Sequence, residues 1–345
     1  MRAWELQAFG LDNLVLVDRP EPQPGPGQVA VRVKAAALNS RDLQVMADRY
    51  LPDQRLPIVP LCDGVGEVVA LGEGVTRLAV GDRVLPAFAQ RWVAGERTPE
   101  RWLSHGGGHL DGMLQEVALL EADGAALVPE HLSDVQAAAA GAAWATAWQA
   151  LFVQGGLRAG ETVLVLGTGG VSIAALQLAV AAGAQVIVTS GSDEKIEQAK
   201  GLGALGGVNY RSRPDWDAAV LELTGGEGVD HVVENAGDLE RSAGCLRMGG
   251  LISLIGYLSQ LDLSKPPVPY RYELSVRSAL QRNIRIQGIT VGPRESYDSM
   301  LRAIAANRIE PAVDSRVFAF EEAPDAFRHL ASGTHFGKVC VSVAD

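Results

Sequence analysis

The chain has 345 residues, of which 47% are hydrophobic and 21% are charged, and its formal net charge is -11. This length predicts two domains, and the acidic balance disfavours nucleic acid and anionic membrane surfaces as partners. Three cysteines far apart in the sequence do not predict a disulfide framework, and the first residues form no apolar signal region, so a reducing cytoplasm is the expected compartment.

The first 127 residues are predicted to form a β-rich domain. Short runs that contain β-branched residues, at 28–38 and 64–72, are separated by turns rich in glycine and proline. The segment 87–112 is long and irregular and is expected to be a surface excursion. Cys62 is followed directly by Asp63, and this pair is either half of a metal site or a small apolar residue beside a structural acid.

From residue 128 onward the sequence alternates between helices and strands. An alanine-rich helix is predicted over 131–152, where Ser133 and Gln136 have the spacing of a capping box. Continuous apolar strands that alternate with helices indicate a parallel sheet covered on both faces. The predicted strands are 162–166, 186–189, 230–235, 250–257, 284–289 and 338–343, and the predicted helices are 171–182, 193–202, 215–223, 239–247, 273–282 and 297–307.

Gly167, Gly169 and Ser172 occupy the three positions of a G-x-G-x-x-G pattern directly after the strand at 162–166. Gly167 allows a tight turn, and Gly169 lets the backbone approach a pyrophosphate, which the free N–H groups of the following helix would bind. The third position controls how closely helix and strand pack, and serine is only slightly larger than glycine. The pattern predicts dinucleotide binding; the alternative is a glycine-rich turn packed without a ligand.

Ser190, Gly191 and Ser192 stand at the end of the next strand, where an NAD enzyme carries an acid about 20 residues after the glycine turn. No carboxylate is present there to repel a 2′-phosphate, and Lys195 follows one helical turn later. Hydroxyl groups and an ammonium suit an extra phosphate. The residues therefore favour NADPH over NADH, unless Lys195 is only a solvated helix charge.

Several segments, in this order and spacing, resemble the medium-chain dehydrogenase/reductase superfamily, and within it the quinone oxidoreductase and zinc-independent alcohol-dehydrogenase-like branch. These segments are PGPGQVAVRVKAAALNSRDL, CDGVGEVVALGEGVTRLAVGDRV, AAWATAWQAL, LGTGGVSIAALQLA, GVDHVVENAG and HFGKVCVSV. The resemblance implies an α/β fold with a GroES-like β-rich catalytic domain, residues 1–127 and 273–345, and a Rossmann doubly wound parallel-sheet domain, residues 128–272. It also implies a homodimer through the edge strand of the Rossmann sheet, expected at 284–289.

Zinc-dependent relatives hold a catalytic metal at three positions that read Asn39, Cys62 and Ala142 in this chain. A catalytic zinc site needs three protein ligands and an open position, so the resemblance implies that no metal binds here. Cys62 is then a small residue of the substrate pocket; the alternatives are a metal site shared with His105 and His109, and a redox-active thiol.

The resemblance also implies roles for individual residues. Asn39 and Tyr50 are candidate hydrogen-bond donors in catalysis, with a loop amide and a packing ring as alternatives, and Arg41 is a candidate contact for an anionic group. Asp42 and Asp63 are expected to pair with basic residues. The predicted substrate pocket comprises Cys62, Trp92 and Trp144. The predicted cofactor contacts are Thr146, Gly167, Thr168, Gly169, Gly170, Val171, Ser190, Gly191, Ser192, Lys195, Tyr210, Asn235, Ala236, Gly256, Tyr257, Ile289, Val291 and Lys338, of which Lys338 is otherwise a solvated charge.

Without a Lewis acid, polarising a simple carbonyl group is difficult, whereas hydride addition to an activated double bond needs only a hydrogen-bond donor at a distant oxygen. The predicted function is therefore NADPH-dependent transfer of hydride to a quinone, an enone or a 2-alkenal. Two alternatives are a zinc-free NADP-dependent alcohol dehydrogenase or carbonyl reductase, and a non-catalytic NADPH-binding protein.

Overall fold

The computed structural model describes residues 1–51, 53–256, 271 and 273–343. The chain forms two compact units, Met1–Ala145 with Val291–Asp345, and Thr146–Thr290. These boundaries lie later in the chain than the expected ones at 127 and 273. The difference arises because the helix Asp134–Ala139 packs on strands of the first unit, whereas the strand Arg285–Gly288 pairs with the strand Leu246–Leu254 of the second unit.

The secondary structure follows the chain in this order. The strands are β1 (Arg2–Leu6), β2 (Leu14–Asp18), β3 (Gln28–Ala37), β4 (Asp63–Leu71), β5 (Arg83–Pro86), β6 (Val117–Glu121), β7 (Ala125–Leu127), β8 (Thr162–Leu166), β9 (Gln185–Ser190), β10 (Gly206–Asn209), β11 (Val229–Glu234), β12 (Leu246–Leu254), β13 (Arg285–Gly288), β14 (Val313–Ala319) and β15 (Lys338–Ser342). The helices are α1 (Ser40–Met46), α2 (Pro99–Trp102), α3 (Asp134–Ala139), α4 (Ala142–Trp148), α5 (Gly170–Ala181), α6 (Asp193–Gly201), α7 (Trp216–Leu223), α8 (Leu239–Gly244), α9 (Val276–Arg282), α10 (Arg294–Asn307) and α11 (Ala323–Ser332).

The first unit is built on a mainly antiparallel sheet with the strand order β14-β15-β3-β4-β5-β7, and β6 also pairs with β3. The central strand β3 is almost entirely buried, because its alanine and valine side chains face the core on both sides. Near its C-terminal end β3 pairs with β4 and with β15, so that Ala37 lies opposite both Asp63 and Cys340. This pairing brings residues from both ends of the chain to one place, as a GroES-like domain requires.

The second unit is a parallel sheet with the strand order β10-β9-β8-β11-β12-β13. The chain runs outward from β8 to β10, then returns to the other side of β8 and runs outward again from β11 to β13. This is the doubly wound Rossmann topology, and its switch point lies between β8 and β11, where ligands bind at the carboxyl ends of the strands. The predicted fold class is therefore confirmed for both units.

The predicted helix 131–152 is wrong as a single element. It consists of α3, capped by Ser133 as predicted, and α4, followed by a π-helical turn at Gln149–Val153. The break falls at Gly141, whose missing side chain makes room for a carboxylate: a Cβ there would lie 2.3 Å from Cγ of Asp63. The helical periodicity of an alanine-rich run does not reveal such a tertiary contact.

Strand β13 forms one edge of the parallel sheet, and all four of its residues are exposed. An unpaired edge of this kind can pair with a second copy of the chain, so the homodimer stays a prediction for this strand. Among the described residues, no helix combines the length and the apolar character that crossing a bilayer requires.

Candidate functional site

The turn between β8 and α5 has the conformation that its glycines predict. Gly167 has a φ of 77°, and its N–H donates to the carbonyl of Thr189 at 2.9 Å. Ser172 is buried, and its hydroxyl donates to the carbonyl of Leu166 at 2.7 Å while it accepts from Asn235 Nδ2 at 2.9 Å. The serine that replaces the third glycine therefore ties the turn to the end of β11, at the switch point of the sheet.

The first N–H groups of α5 are not capped by the side chain that precedes the helix, because that residue is Gly169. Thr168 is buried within the turn, and Gly170 and Val171 form the first turn of the helix. A helix N-terminus of this kind is an anion site. The predicted phosphate contacts thus come together in one place, and their geometry fits a dinucleotide pyrophosphate.

The end of β9 carries hydroxyl groups, as the sequence indicates. Ser190 is buried, and its Oγ accepts from the N–H of Ser192 at 3.3 Å. Ser192 precedes α6 and its Oγ accepts from the N–H of Lys195 at 3.4 Å. A Cβ on Gly191 would lie 2.8 Å from both Tyr210 Oη and Arg211 Nε, so these two side chains converge on Gly191.

Arg211 is a candidate site residue that the sequence analysis missed. Its backbone N–H donates to Asn209 Oδ1 at 3.0 Å, and its guanidinium has no hydrogen-bond partner among the described residues. The available signal is its position two residues after the end of β10, the strand next to β9 in the sheet. The carboxylate of Asp193, on α6, accepts from Asn209 Nδ2 at 2.8 Å.

Glu234 is a second residue that the sequence analysis missed. It is fully buried at the end of β11, and its carboxylate accepts from the N–H groups of Ala236 at 2.9 Å and Gly237 at 2.8 Å, and from the hydroxyl of Ser242. Its carbonyl accepts from the N–H of Gly256 at 3.3 Å. Glu234 therefore holds the loop in which the predicted contacts Asn235 and Ala236 lie.

The remaining predicted cofactor contacts are distributed over both units. Thr146 is the first residue of the second unit, and Val291 is a buried residue of the first. The N–H of Ile289 donates to the carbonyl of Leu254 at 2.9 Å, directly after β13. Tyr257 lies outside the described residues.

Lys338 lies in a buried cluster of the first unit, with 2% of its surface exposed. Its Nζ donates to the carbonyl of Leu38 at 2.7 Å, to Asn39 Oδ1 at 2.6 Å and to Asp63 Oδ2 at 3.2 Å. The solvated charge considered for this residue is therefore wrong. The three acceptors also occupy all three N–H groups of the ammonium, which leaves none for the predicted cofactor contact.

Asn39 is held in the same cluster. Its Nδ2 donates to Asp63 Oδ2 at 2.8 Å and lies 3.5 Å from Cys62 Sγ, while its backbone N–H donates to Asp42 Oδ2 at 2.7 Å. Both amide hydrogens are thus engaged inside the unit. The geometry corrects the predicted role of Asn39 as a donor to substrate and makes it a residue that orients Asp63 and Cys62.

The three positions aligned with zinc ligands do come together, but their chemistry does not fit zinc. Ala142 contributes a methyl group, while its backbone N–H donates to Asp63 Oδ1 at 2.9 Å. Burial raises the pKa of the Cys62 thiol well above its usual value, and the carboxylates of Asp63 and Asp42 raise it further, so the thiol is neutral. Among the described residues, no three His, Cys, Asp or Glu side chains are placed together in a way that could hold a metal.

Arg41 lies beside this cluster and is 9% exposed. Its Nη1 donates to Asp42 Oδ1 at 3.2 Å and to the carbonyl of Gly106 at 3.1 Å, and its Nη2 donates to the carbonyl of Gly107 at 3.2 Å. The guanidinium carbon lies 4.5 Å from the ring centroid of the partly buried Tyr50. The expected pairing of Asp42 and Asp63 with basic residues is confirmed, since Arg41 and Lys338 are their partners.

His105 is buried next to Arg41 and stacks on Phe88 with ring centroids 5.0 Å apart. Its Nδ1 lies 3.0 Å from the carbonyl of Trp102 and 3.3 Å from His109 Nδ1. Burial lowers the pKa of His105 to about 3, and the nearby charge of Arg41 acts in the same direction. His105 is therefore a neutral imidazole that donates from Nδ1 to the Trp102 carbonyl.

Both tryptophans predicted for the substrate pocket are buried in the first unit. Trp92 is 5% exposed and donates from Nε1 to the carbonyl of Gly95 at 2.8 Å, and Trp144 is 1% exposed. Cys62 is buried as well, with 2% of its surface exposed. The pocket role of these three residues stays a prediction.

Replacing His105 with asparagine is expected to change how the stability of the first unit depends on pH. In the unfolded chain His105 takes up a proton near pH 6.5, whereas in the folded protein its pKa is lowered to about 3. Below pH 6.5 protonation therefore favours the unfolded state, and the free energy of unfolding falls as the pH falls. Between about pH 7.5 and pH 4.5, the free energy of unfolding of the wild type should fall by roughly 2–3 kcal/mol relative to His105→Asn in urea titrations.

Asp42→Asn is a control variant, because the pH dependence of its stability should change in the opposite direction to that of His105→Asn. Burial raises its pKa from 3.8 to about 6, so its contribution is present at low pH and is lost as the pH rises through 6. Relative to wild type, Asp42→Asn should therefore lose stability on acidification over the same range. Identical pH profiles for wild type and His105→Asn would contradict a buried neutral imidazole.

Two family descriptions match the chain. Residues 25–130 match the alcohol dehydrogenase GroES-like domain, and residues 170–306 match the zinc-binding dehydrogenase family. A "Zinc-type alcohol dehydrogenase-like protein" of Schizosaccharomyces pombe is 39% identical over 322 residues, which cover 92% of this chain and 91% of that protein.

Solved structures agree with the fold over the full length. A crystal structure described as NAD-dependent alcohol dehydrogenase is 35% identical with a TM-score of 0.86, and the match covers 100% of both chains. A mycobacterial protein complexed with NADPH is 26% identical with a TM-score of 0.80, and the match covers 99% of this chain and 100% of the other. The description of the first structure names NAD, and that of the second names NADPH.

Proposed function

Because this chain belongs to the medium-chain dehydrogenase/reductase superfamily and is a zinc-type alcohol dehydrogenase-like member of it, we propose that it transfers hydride from NADPH to a quinone, an enone or a 2-alkenal without zinc. The similarity to these relatives establishes the chain as an alcohol dehydrogenase-like oxidoreductase. The proposal concerns the metal, the choice of nucleotide and the class of substrate.

The buried cluster of the first unit is the observation that carries the proposal. Its two cations are each paired with a carboxylate, Lys338 with Asp63 at 3.2 Å and Arg41 with Asp42 at 3.2 Å. An amide, a neutral thiol and a methyl group stand at the positions of the zinc ligands. The cluster therefore offers no uncompensated positive charge comparable to Zn²⁺ for polarising a simple carbonyl or an alcohol.

Such a site suits a substrate that is already activated. In a quinone or an enone, conjugation carries the developing negative charge to a distant oxygen, which a single hydrogen-bond donor or a water molecule can stabilise. Bound NADPH would supply the hydride. The contribution of this chain is to bind the pyrophosphate at the turn after Gly167 and to keep the loop after Glu234 in place.

The direct test is a screen of NADPH oxidation with quinones, enones, 2-alkenals and saturated aldehydes, with and without a chelator. We expect turnover of the conjugated acceptors to exceed that of saturated aldehydes, no effect of the chelator, and far less than one metal ion per chain by mass spectrometry. Stoichiometric zinc whose removal abolishes turnover would contradict the proposal.

Two other outcomes would replace the proposal with its alternatives. Oxidation of secondary alcohols by NADP+, without reduction of conjugated acceptors, would identify a zinc-free alcohol dehydrogenase. Tight NADPH binding with no oxidation by any acceptor would identify a non-catalytic binding protein.

The preference for NADPH rests on Arg211, Tyr210 and the hydroxyl groups that surround Gly191. Arg211→Ala is expected to weaken NADPH binding by about 10- to 100-fold and to leave NADH binding unchanged, because one charge-assisted bond to the 2′-phosphate is lost. Calorimetric titration with each nucleotide measures this. Arg213→Ala is the matched control, since Arg213 is bonded to Asp215 and Glu222 and should leave both affinities unchanged. Equal weakening of NADH and NADPH by Arg211→Ala would reject the role of this residue.

A further inference from the structure

The first unit contains a cavity of about 380 Å³ that is lined by no residue of the buried cluster around Lys338. One wall is formed by β6 and includes Leu119 and Glu121, and another is the segment after β2, which includes Pro20 and Pro22. A cavity of this size holds a small molecule or a short stretch of polypeptide. The backbone and the side chains that line it indicate which of the two it binds.

The backbone of Leu119 faces away from β3. The pairing of β3 with β6 is bounded by two hydrogen bonds, from the Val33 N–H to the Glu116 carbonyl and from the Ala122 N–H to the Gly27 carbonyl, each 2.9 Å long. Bonded and non-bonded pairs alternate along antiparallel strands, so the even-numbered residues of β6 bond to β3 and Leu119 does not. Within the described part of the chain, the N–H and the carbonyl of Leu119 have no hydrogen-bond partner.

Strand β1 lies on this same edge, beside the cavity. Glu116 shows this, because its N–H donates to the carbonyl of Arg2 at 3.0 Å while its own carbonyl accepts from β3. From there β1 runs away from Leu119, since the N–H of Trp4 donates to the carbonyl of Leu114 at 3.0 Å. Strand β2 pairs with the other side of β1, so one strand separates β2 from this edge.

The chain continues along the line of β2 after that strand ends. The N–H of Arg19 donates to the carbonyl of Met1 at 2.8 Å, and Pro20 and Pro22 follow and line the cavity. The space between this segment and Leu119 is therefore about one strand wide, and no described strand occupies it. Proline has no N–H, so the backbone donor that faces this space comes from β6.

Two buried glutamines place further polar atoms at the cavity. Gln90 is 2% exposed and Gln115 is 4% exposed, and both line the cavity. Gln90 Oε1 accepts from the N–H of Glu121 at 2.7 Å, which leaves Nε2 as a donor, and Gln115 Nε2 donates to the carbonyl of Gly112 at 2.8 Å, which leaves Oε1 as an acceptor. Neither remaining atom has a partner among the described residues, and neither is fully shielded from solvent.

The charges at the cavity are compensated. Arg19 pairs with Asp111 at 3.0 Å, and Arg91 pairs with Glu121 at 3.3 Å. An anionic ligand would therefore meet arginines that already have partners, and it would leave the Gln115 acceptor unpaired. The groups that stay available are uncharged donors and acceptors of amide type.

A polypeptide backbone carries the matching groups, an N–H and a carbonyl on each residue. We propose that the free edge of β6 binds an uncharged, extended peptide segment of a partner protein, which pairs with Leu119 and lies in line with β1. Strand addition to an open sheet edge is an established mode of peptide binding. Gln90 and Gln115 would bond to the same segment. This inference does not depend on hydride transfer or on the choice of nucleotide.

Capped pentapeptides in which threonine alternates with valine, leucine, phenylalanine or tyrosine are suitable probes, because they carry no charge and favour an extended conformation. In nuclear magnetic resonance titrations of the deuterated full-length enzyme, at least one of them is expected to shift the amide resonance of Leu119 and the side-chain amide resonance of Gln90. The same peptide with N-methyl groups on its three central residues should bind at least about 10-fold more weakly, because it cannot donate to the strand.

Hydrogen exchange compares two neighbouring residues of β6. In the free enzyme the N–H of Leu119 should exchange faster than that of Leu120, which bonds to β3. At a peptide concentration of about ten times the Kd, exchange at Leu119 should slow about 10-fold. Exchange at Leu120 should change far less, because its hydrogen bond exists with or without the peptide.

Two substitutions at Leu119 separate backbone pairing from side-chain packing. Leu119→Pro removes the edge N–H without removing a bond to β3, and it should weaken peptide binding at least about 10-fold. Leu119→Val keeps that N–H and should retain most of the affinity. Unchanged NADPH affinity in both variants shows that they are folded.

Two results would overturn the inference. One is that none of the four peptides perturbs Leu119 or Gln90. The other is that the N-methylated peptides bind as tightly as their parents, which would identify the cavity as a site for apolar side chains only. The N-methyl comparison uses the unaltered enzyme, so it decides the question even if Leu119→Pro does not fold.

Discussion

Replacing Lys338 with methionine is expected to lower the free energy of unfolding of the catalytic domain by about 3–5 kcal/mol. The ammonium is 2% exposed and bridges the backbone of Leu38, the amide of Asn39 and the carboxylate of Asp63. Methionine has a similar length but leaves Asp63 as a buried charge without its cation. Urea unfolding monitored by tryptophan fluorescence measures the loss.

The double variant Lys338→Met with Asp63→Asn removes the uncompensated charge and should recover part of the loss. Lys200→Met is a matched control, because Lys200 is a half-exposed residue that pairs with the exposed Glu197, and its loss should cost no more than about 0.5 kcal/mol. A cost for Lys338→Met as small as that of Lys200→Met would contradict a structural role for the buried ammonium.

Replacing Gly167 with valine is expected to weaken NADPH binding by about 100-fold or more. The φ of 77° is open to glycine and costs a β-branched residue of the order of 1–3 kcal/mol. The strain would displace the turn and with it the N–H groups at the start of α5, which we propose bind the pyrophosphate and would do so only from their present positions. Fluorescence titration with NADPH measures the affinity.

Gly160→Val separates backbone strain from nucleotide binding. Gly160 has a φ of 85° in the same unit and lies just before β8, at the opposite end of the strand from the turn. A Cβ at Gly160 or at Gly167 would meet no other atom within 4 Å, so the two substitutions carry similar strain. Both should lower the melting temperature, but only Gly167→Val should lower NADPH affinity. Unchanged affinity in Gly167→Val would remove the turn from the nucleotide site.

Much of the second unit follows from local pattern. Continuous apolar strands such as Thr162–Leu166, joined through glycine turns to helices, can bury both faces only in a parallel sheet. The glycine turn and the hydroxyl groups after β9 are recognisable because their chemistry lies within a few consecutive residues. Arg211 is different, since it reaches Gly191 only because β10 lies beside β9 in the sheet.

The sequence by itself indicated the α/β organisation and a glycine turn suited to a dinucleotide, because each depends on a pattern of consecutive residues. The positions Asn39, Cys62 and Ala142 lie in three separate segments and were recognisable only through the resemblance to zinc-dependent relatives. Only the tertiary structure decided what those positions do instead. Lys338 and Asn39 are 299 residues apart in the chain, and they meet because β15 pairs with β3. The residues of each strand alone do not predict that β15 pairs with β3, because the register between them is set by the burial of both strands in one sheet.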